Sequence, residues 1–244
     1  MPIESLRVTG SPDARLSERV LHLRVGQFPA YLVSPQCAKA CQLPAEWEGL
    51  IAISAAIEVS GSVQTRPIQE APLVKLQVFI DLGEALVDQP SGHAPWAALP
   101  MADPAAQSHK ALERWYIEQA MAGGPAYQAF AGVLRNCESY GLVRFLLEQG
   151  TRSEKLTTLA QRYGVSVSHF RRLCRQALGT AAKPALRGWR TAQALLNMSQ
   201  QDGSLTDVAL EFGFASSSHF SKEIRELVGF TPSSLADITY LPGK

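Results

Sequence analysis

Ser166-Val167-Ser168-His169-Phe170 and Ser216-Ser217-Ser218-His219-Phe220 are near-copies of one another, fifty residues apart. The likeness continues at the same offset through Arg172 and Lys222, Arg175 and Arg225, and Gly179 and Gly229. Upstream the offset drops by one residue. There Leu156, Leu159, Ala160, Tyr163 and Gly164 stand against Leu205, Val208, Ala209, Phe212 and Gly213. A repeat of this length is one supersecondary unit used twice.

The spacing says what the unit is. Leu156, Leu159, Ala160 and Tyr163 recur at i, i+3, i+4 and i+7, the period of one helical face. Gly164 supplies the left-handed backbone of a turn, and Ser166 can cap a following helix by accepting an orphan amide bond. Phe170, Leu173, Cys174 and Ala177 then repeat the helical period. Leu205, Val208, Ala209 and Phe212, followed by Phe220, Ile224 and Leu227, do the same in the second copy. Two helices around a short glycine-containing turn predict a helix-turn-helix, with units at about 153–179 and 204–230.

A pair of helical hairpins also fits a solenoid or a bundle, so the outward face has to decide. With Phe170, Leu173 and Ala177 inward, Ser168, Arg171, Arg172 and Arg175 point out. A major groove admits one helix, Arg can bond guanine O6 and N7 bidentately, and Ser can reach bases or phosphates. Arg175, a turn further on, is better placed for the phosphate backbone. The alternative, a merely solvated basic face, explains the charge and leaves its position on the second helix of the unit unexplained.

The charge is divided accordingly. Residues 1–140 hold 10 Lys and Arg against 14 Asp and Glu, while residues 141–244 hold 13 against 8, so the basic half is the one with the repeat. Within it, residues 148–190 carry 9 basic and 2 acidic side chains, and residues 191–244 carry 3 and 6. The first unit is therefore expected to supply most of the electrostatic binding. The second is expected to contact DNA only weakly.

No run reaches the ~18 apolar residues of a membrane span, and no basic stretch leads into an apolar core at the start, so a cytoplasmic protein is expected. Cys37, Cys41, Cys137 and Cys174 are too few and scattered for a disulfide framework. Cys37 and Cys41 can share a helical face, but further zinc ligands are not near them, and free thiols are expected. His169 and His219 recur in step. Without a carboxylate near either, a structural or phosphate-contacting role is expected rather than catalysis, and no catalytic, metal or cofactor site is assigned.

These residues closely resemble the AraC/XylS family of bacterial transcription regulators, whose two helix-turn-helix units are joined by a long helix. The joining helix falls at Ala185 to Met198, where Arg190, Ala194 and Leu195 fit the family's linker. The C-terminal pattern stands as Gly213-Phe214, Ser216, Phe220 and Gly229-Phe230-Thr231-Pro232-Ser233. A narrower likeness, carried by Tyr163-Gly164-Val165-Ser166, His169-Phe170-Arg171-Arg172-Leu173-Cys174, Trp189-Arg190 and Ala215 to Phe220, is to the InvF-type activators of type III secretion genes. The resemblance implies double-stranded promoter DNA and RNA polymerase as partners, with a type III secretion chaperone as coactivator. It also implies base reading by Ser168, Arg171 and Arg172 in the first unit and by Ser217, Ser218, Ser221 and Lys222 in the second. Where many members have a second Phe and basic residues, this chain has Ile224-Arg225-Glu226.

The first half is less informative. Residues 18–33 and 50–82 are rich in Val, Ile and Leu with partial alternation, as in Ile51, Ile53, Ala55 and Ile57 and again in Val74, Leu76, Val78 and Ile80, which predicts strands. Prolines and a glycine from Asp88 to Pro104 predict a loop. Helical spacing begins near Ala105 with Leu112, Trp115, Tyr116 and Gln119, and resumes from Ala126 through Cys137; Leu142 to Leu147 open the next domain. The expected architecture is α+β: a β-rich, then helical, regulatory, partner-binding or dimerisation domain at 1–136, followed by an all-α DNA-binding domain at 137–244. A homodimer is allowed but not required, because tandem units can read two major-groove turns ~34 Å apart alone.

Three function classes compete. A sequence-specific transcription activator explains the repeat, the basic face and the charge split. An enzyme needs a nucleophile with its base and oxyanion site, or a metal, and no such arrangement is visible. A partner-sequestering protein has no use for three outward arginines on a recognition helix. Within the first class, a small-molecule ligand in the N-terminal domain is the alternative to the chaperone.

Overall fold

The computed structural model describes residues 14–16, 19–34, 37–83, 94–101, 108–149, 154–200 and 204–232. The chain divides into two compact units, Met1–Gly141 and Leu142–Lys244. The architecture is α+β, with the β-rich part first and the helical part second.

The first unit contains β1 (Ala14–Leu16), β2 (Val20–Val25), β3 (Ala30–Ser34), β4 (Cys37–Leu43), β5 (Glu48–Ile53), β6 (Ile57–Ser60), β7 (Val63–Pro67) and β8 (Trp96–Pro100). They form two antiparallel four-stranded sheets, ordered β1-β6-β3-β4 and β7-β2-β5-β8. Leu32, Ile57 and Val59 from one sheet meet Leu21, Leu23, Ile51 and Ile53 from the other, so the sheets bury a shared apolar layer. In β3 burial alternates residue by residue, as for a sheet with one wet face. In β5 every residue from Gly49 to Ile53 is buried, because α3 (Pro125–Arg135) covers the face turned away from the other sheet.

Three expectations for this half are corrected. Val74 to Ile80 is not a strand: Glu70–Gly83 forms helix α1, and it buries Leu73, Val74, Gln77, Val78 and Asp81. Apolar residues are so dense there that alternation and helical period both fit, and only Gln77 and Asp81 break the tie. The stretch from Asp88 to Pro104 is not all loop, since Trp96–Pro100 pairs with β5 as an edge strand, where flanking prolines cost no ladder bond. Cys37 and Cys41 sit on strand β4, not on a helix. The expected helix start near Ala105 lies outside the described residues. Helix α2 runs His109–Ala122, capped by Ser108, whose hydroxyl accepts the Ala111 N–H at 3.1 Å.

A polar hub ties these helices together. Asp81 of α1 accepts from Arg135 at 2.6 and 2.9 Å, from the Tyr140 hydroxyl at 2.7 Å and from Gln77 at 2.9 Å. Gln77 in turn accepts from the Tyr116 and Tyr127 hydroxyls at 2.6 and 2.9 Å. Each buried polar atom thus gains a partner, as a dry interior requires. Tyr140 belongs to α4 (Glu138–Gln149), so the first turn of that helix is held by the first unit.

The second unit follows with α5 (Leu156–Arg162), α6 (Val167–Leu178), α7 (Ala182–Gln200), α8 (Leu205–Glu211) and α9 (Ser217–Val228). Helix α7, placed at 185–198 by the linker pattern, extends a turn further at its N-terminus.

Candidate nucleic-acid interface

The repeated residues build the same local geometry twice. Gly164 and Gly213 take φ of +80° and +71°, and the next N–H groups, of Val165 and Phe214, reach back to Ala160 and Ala209 carbonyls at 3.1 and 2.8 Å. Ser166 and Ser216 cap α6 and α9, and Gly179 and Gly229 close them in the left-handed region. The two helices are thereby started, aimed and stopped by matching residues.

Packing then turns one face of each outward. In the first helix-turn-helix unit Phe170, Leu173, Cys174 and Ala177 are buried, and Phe170 sits among Phe145 and Tyr163, ring centroids 6.3 and 5.7 Å away. Burial pushes the Cys174 thiol up to about 11. In the second, Phe220 and Ile224 pack with Ala194, Val208, Ala209 and Phe214. Ser168, Arg171, Arg172 and Arg175 consequently lie exposed on α6, and Ser218 and Lys222 on α9, with Ser217 and Ser221 half-buried.

The electrostatics of the two faces differ. Among the described residues no carboxylate pairs with Arg171, Arg172 or Arg175. Arg171 also lines a cavity of about 630 Å³ between α5, α6 and α7, together with Lys155, Lys183, Arg187, Arg190 and one carboxylate, Glu154, which pairs with Arg162. On α9, by contrast, Lys222 Nζ lies 3.9 Å from Glu226 Oε1.

Sequence reasoning missed a third group. Glu223 of α9 is buried, with Arg187 Nε of α7 3.1 Å from its Oε2 and His219 Nε2 3.6 Å from its Oε1. The expectation that His219 has no carboxylate nearby is therefore corrected: the residue one turn on points inward beside it. Arg190 of α7 lies over the Phe214 ring at 4.7 Å, and burial lowers its pKa although Glu223 opposes the shift. The signal was readable, since the repeat sets Glu223 against the core residue Leu173. Of the C-terminal pattern, Gly229 to Pro232 is described, and Ser233 lies outside the described residues.

Residues 159–237 match the family described as "Helix-turn-helix domain". The chain is 42% identical to the invasion protein InvF of Salmonella typhi over 188 residues, covering 76% of this chain and 87% of that one. It is 40% identical to the transcriptional regulator MxiE of Shigella flexneri over 114 residues, covering 46% of this chain and 54% of that one. A solved structure of ToxT from Vibrio cholerae, 12% identical, covers 95% of this chain and 98% of its own at a TM-score of 0.40.

Proposed function

Since the chain belongs to the AraC family of transcription regulators and is a DNA-binding activator of type III secretion genes, we propose that it does so with a secretion chaperone as coactivator, reading promoter DNA chiefly through α6. One observation carries the DNA-reading part: three arginines on one exposed helical face, with no acidic partner among the described residues. Unpaired guanidiniums cost little in water and become bidentate donors once a phosphate or guanine edge arrives.

Arg171 and Arg172, with Ser168, read bases in this account, and Arg175 holds the backbone. Ser217, Ser218, Ser221 and Lys222 of α9 make a second, weaker contact, because Lys222 already faces Glu226 and that end of the chain is net acidic. RNA polymerase is then met from the second unit. The protein acts in the cytoplasm, where promoter DNA is, and carries out no catalysis of its own.

The N-terminal unit is the docking module for the chaperone. The apolar layer between its sheets is filled by its own side chains, Leu23, Leu32, Ile51 and Ile57 all being fully buried, which favours a protein partner on its surface over a small ligand in its centre. Meanwhile Phe79 and Leu82 of α1 and Ile117 and Met121 of α2 are exposed. Exposed apolar residues on adjoining helices suit a protein partner.

A promoter-reporter assay on type III secretion promoters, with and without the chaperone, tests the reading, with Arg172→Ala as control. Activation that needs both chaperone and Arg172 is expected. Activation without chaperone overturns the coactivator role and points to a small ligand; activation by the Arg172→Ala protein overturns the role of α6.

A further inference from the structure

The buried faces of the two recognition helices match at Phe170 and Phe220 and at Cys174 and Ile224, whereas the last turn, buried in α6 at Ala177 and Leu178, is exposed in α9 at Leu227 and Val228. Aligning Phe170 with Phe220 and Cys174 with Ile224 sets Leu173 of α6 against Glu223 of α9. Both are buried, at 6% and 7% exposure, so a carboxylate occupies a site where the sister helix has an aliphatic side chain. Burying a carboxylate is costly unless it is paired, and a helix that needs only a core would use leucine there.

The pairing shows where the cost goes. Arg187 reaches Glu223 from α7, one turn before Arg190, which lies over the Phe214 ring in the turn between α8 and α9. Two neighbouring arginines of the linker helix thus hold the second unit at two points, its turn and its recognition helix. Both recognition helices rest on rings, Phe170 against Phe145 and Tyr163 and Phe220 against Phe214 at 4.7 Å, but among the described residues only α9 adds an ion pair from a buried carboxylate to the linker helix. Apolar packing is non-directional, whereas an ion pair to a buried carboxylate specifies which partner stands opposite it.

We propose that Glu223, pinned by Arg187, is the positioning residue of the second unit, fixing the angle at which α9 leaves the linker helix and so the bases that Ser218 and Lys222 can reach. The proposal rests on the reading that α9 touches DNA. Glu223 itself faces away from the groove and acts through the helix it anchors. Local rules of burial are broken here, as they tend to be where function sets the choice.

The test uses the full chain on its tightest-binding promoter duplex, combining hydroxyl-radical footprinting with thermal melting. Glu223→Leu copies the first unit and leaves Arg187, half exposed already, free to return to water, so melting at or above the wild-type temperature is expected. Protection of the second half-site should nonetheless weaken by about tenfold while the first half-site is unchanged. Arg187→Gln should behave alike, and Arg187→Lys, which keeps the charge, should retain the second footprint. Wild-type protection of both half-sites by Glu223→Leu overturns the proposal. If Glu223→Leu does not fold, Arg187→Gln decides, and a wild-type footprint from it overturns the proposal equally. A wild-type protein that leaves the second half-site unprotected overturns the underlying reading instead, a failure seen before any variant is made.

Discussion

Ser166 and Ser216, fifty residues apart, make the same bond, each hydroxyl accepting the backbone N–H of the histidine three residues on, at 3.3 and 3.1 Å. That bond fixes where a recognition helix begins, and so which residues of α6 and α9 face outward. Ser166→Ala removes the acceptor and leaves an N-terminal amide to water. We expect a loss of about 1 kcal/mol, read by chemical denaturation, with Ser166→Asp close to wild type. A silent Ser166→Ala would mean that packing of Phe170 alone sets the helix start.

Gly164 adopts φ of +80° with nothing near the position a Cβ would take. Gly164→Ala should therefore cost about 1–2 kcal/mol through backbone strain alone. Denaturation of Gly164→Ala beside Gly164→Asn separates the causes, since asparagine tolerates the left-handed region and should recover part of the loss. Equal losses for the two would point to sterics instead.

In the N-terminal unit Asp81 and Arg135 hold each other at 2.6 Å, both largely buried. Burial tends to raise the Asp81 pKa, but Arg135, Tyr140 and Gln77 outweigh it and hold the carboxyl below the usual range. A depressed carboxylate contributes stability that is present above its unfolded pKa, near ~3.9, and is lost as pH falls through the lower folded value. Asp81→Asn should destabilise by about 3–5 kcal/mol at neutral pH, because Arg135 is left buried without its charge partner. The same variant should flatten the acid limb of a stability–pH curve; an unchanged acid limb would contradict the assignment.

Cys174, buried in α6 with its thiol pushed up to about 11, should resist alkylation at neutral pH in the folded protein. Cys41, half-buried on β4, should react before Cys174. Mass-spectrometric mapping after brief treatment with iodoacetamide reads the order, and prior labelling of Cys174 would contradict the packing of α6.

How much of this was legible in the sequence depended on whether a residue acts locally. Ser166, Gly164 and Gly179 govern backbone within a few positions, and the repeat displayed each beside its counterpart, so turn, cap and outward face could all be read. The first half offered no second copy. Val74 to Ile80 fits a strand or a helix equally, and the buried partners that decide for helix, Arg135 and Tyr116, lie 54 and 39 residues from the side chains they meet. Trp96–Pro100 reads as loop because its strand identity comes from β5, not from its own composition. Glu223 was visible as an oddity in the repeat, but its partner Arg187 was not, since only packing brings α7 to α9.

The most direct measurement is the affinity of wild-type, Arg172→Ala and Lys222→Ala proteins for one promoter duplex across a salt series. The account predicts that Arg172→Ala loses about 1–3 kcal/mol, as for a bidentate base contact, and that Lys222→Ala loses well under ~1 kcal/mol. A steep fall of log affinity with log salt should accompany wild-type binding, reflecting phosphate neutralisation. Equal losses at Arg172 and Lys222, or a flat salt dependence, would contradict DNA reading centred on the first unit.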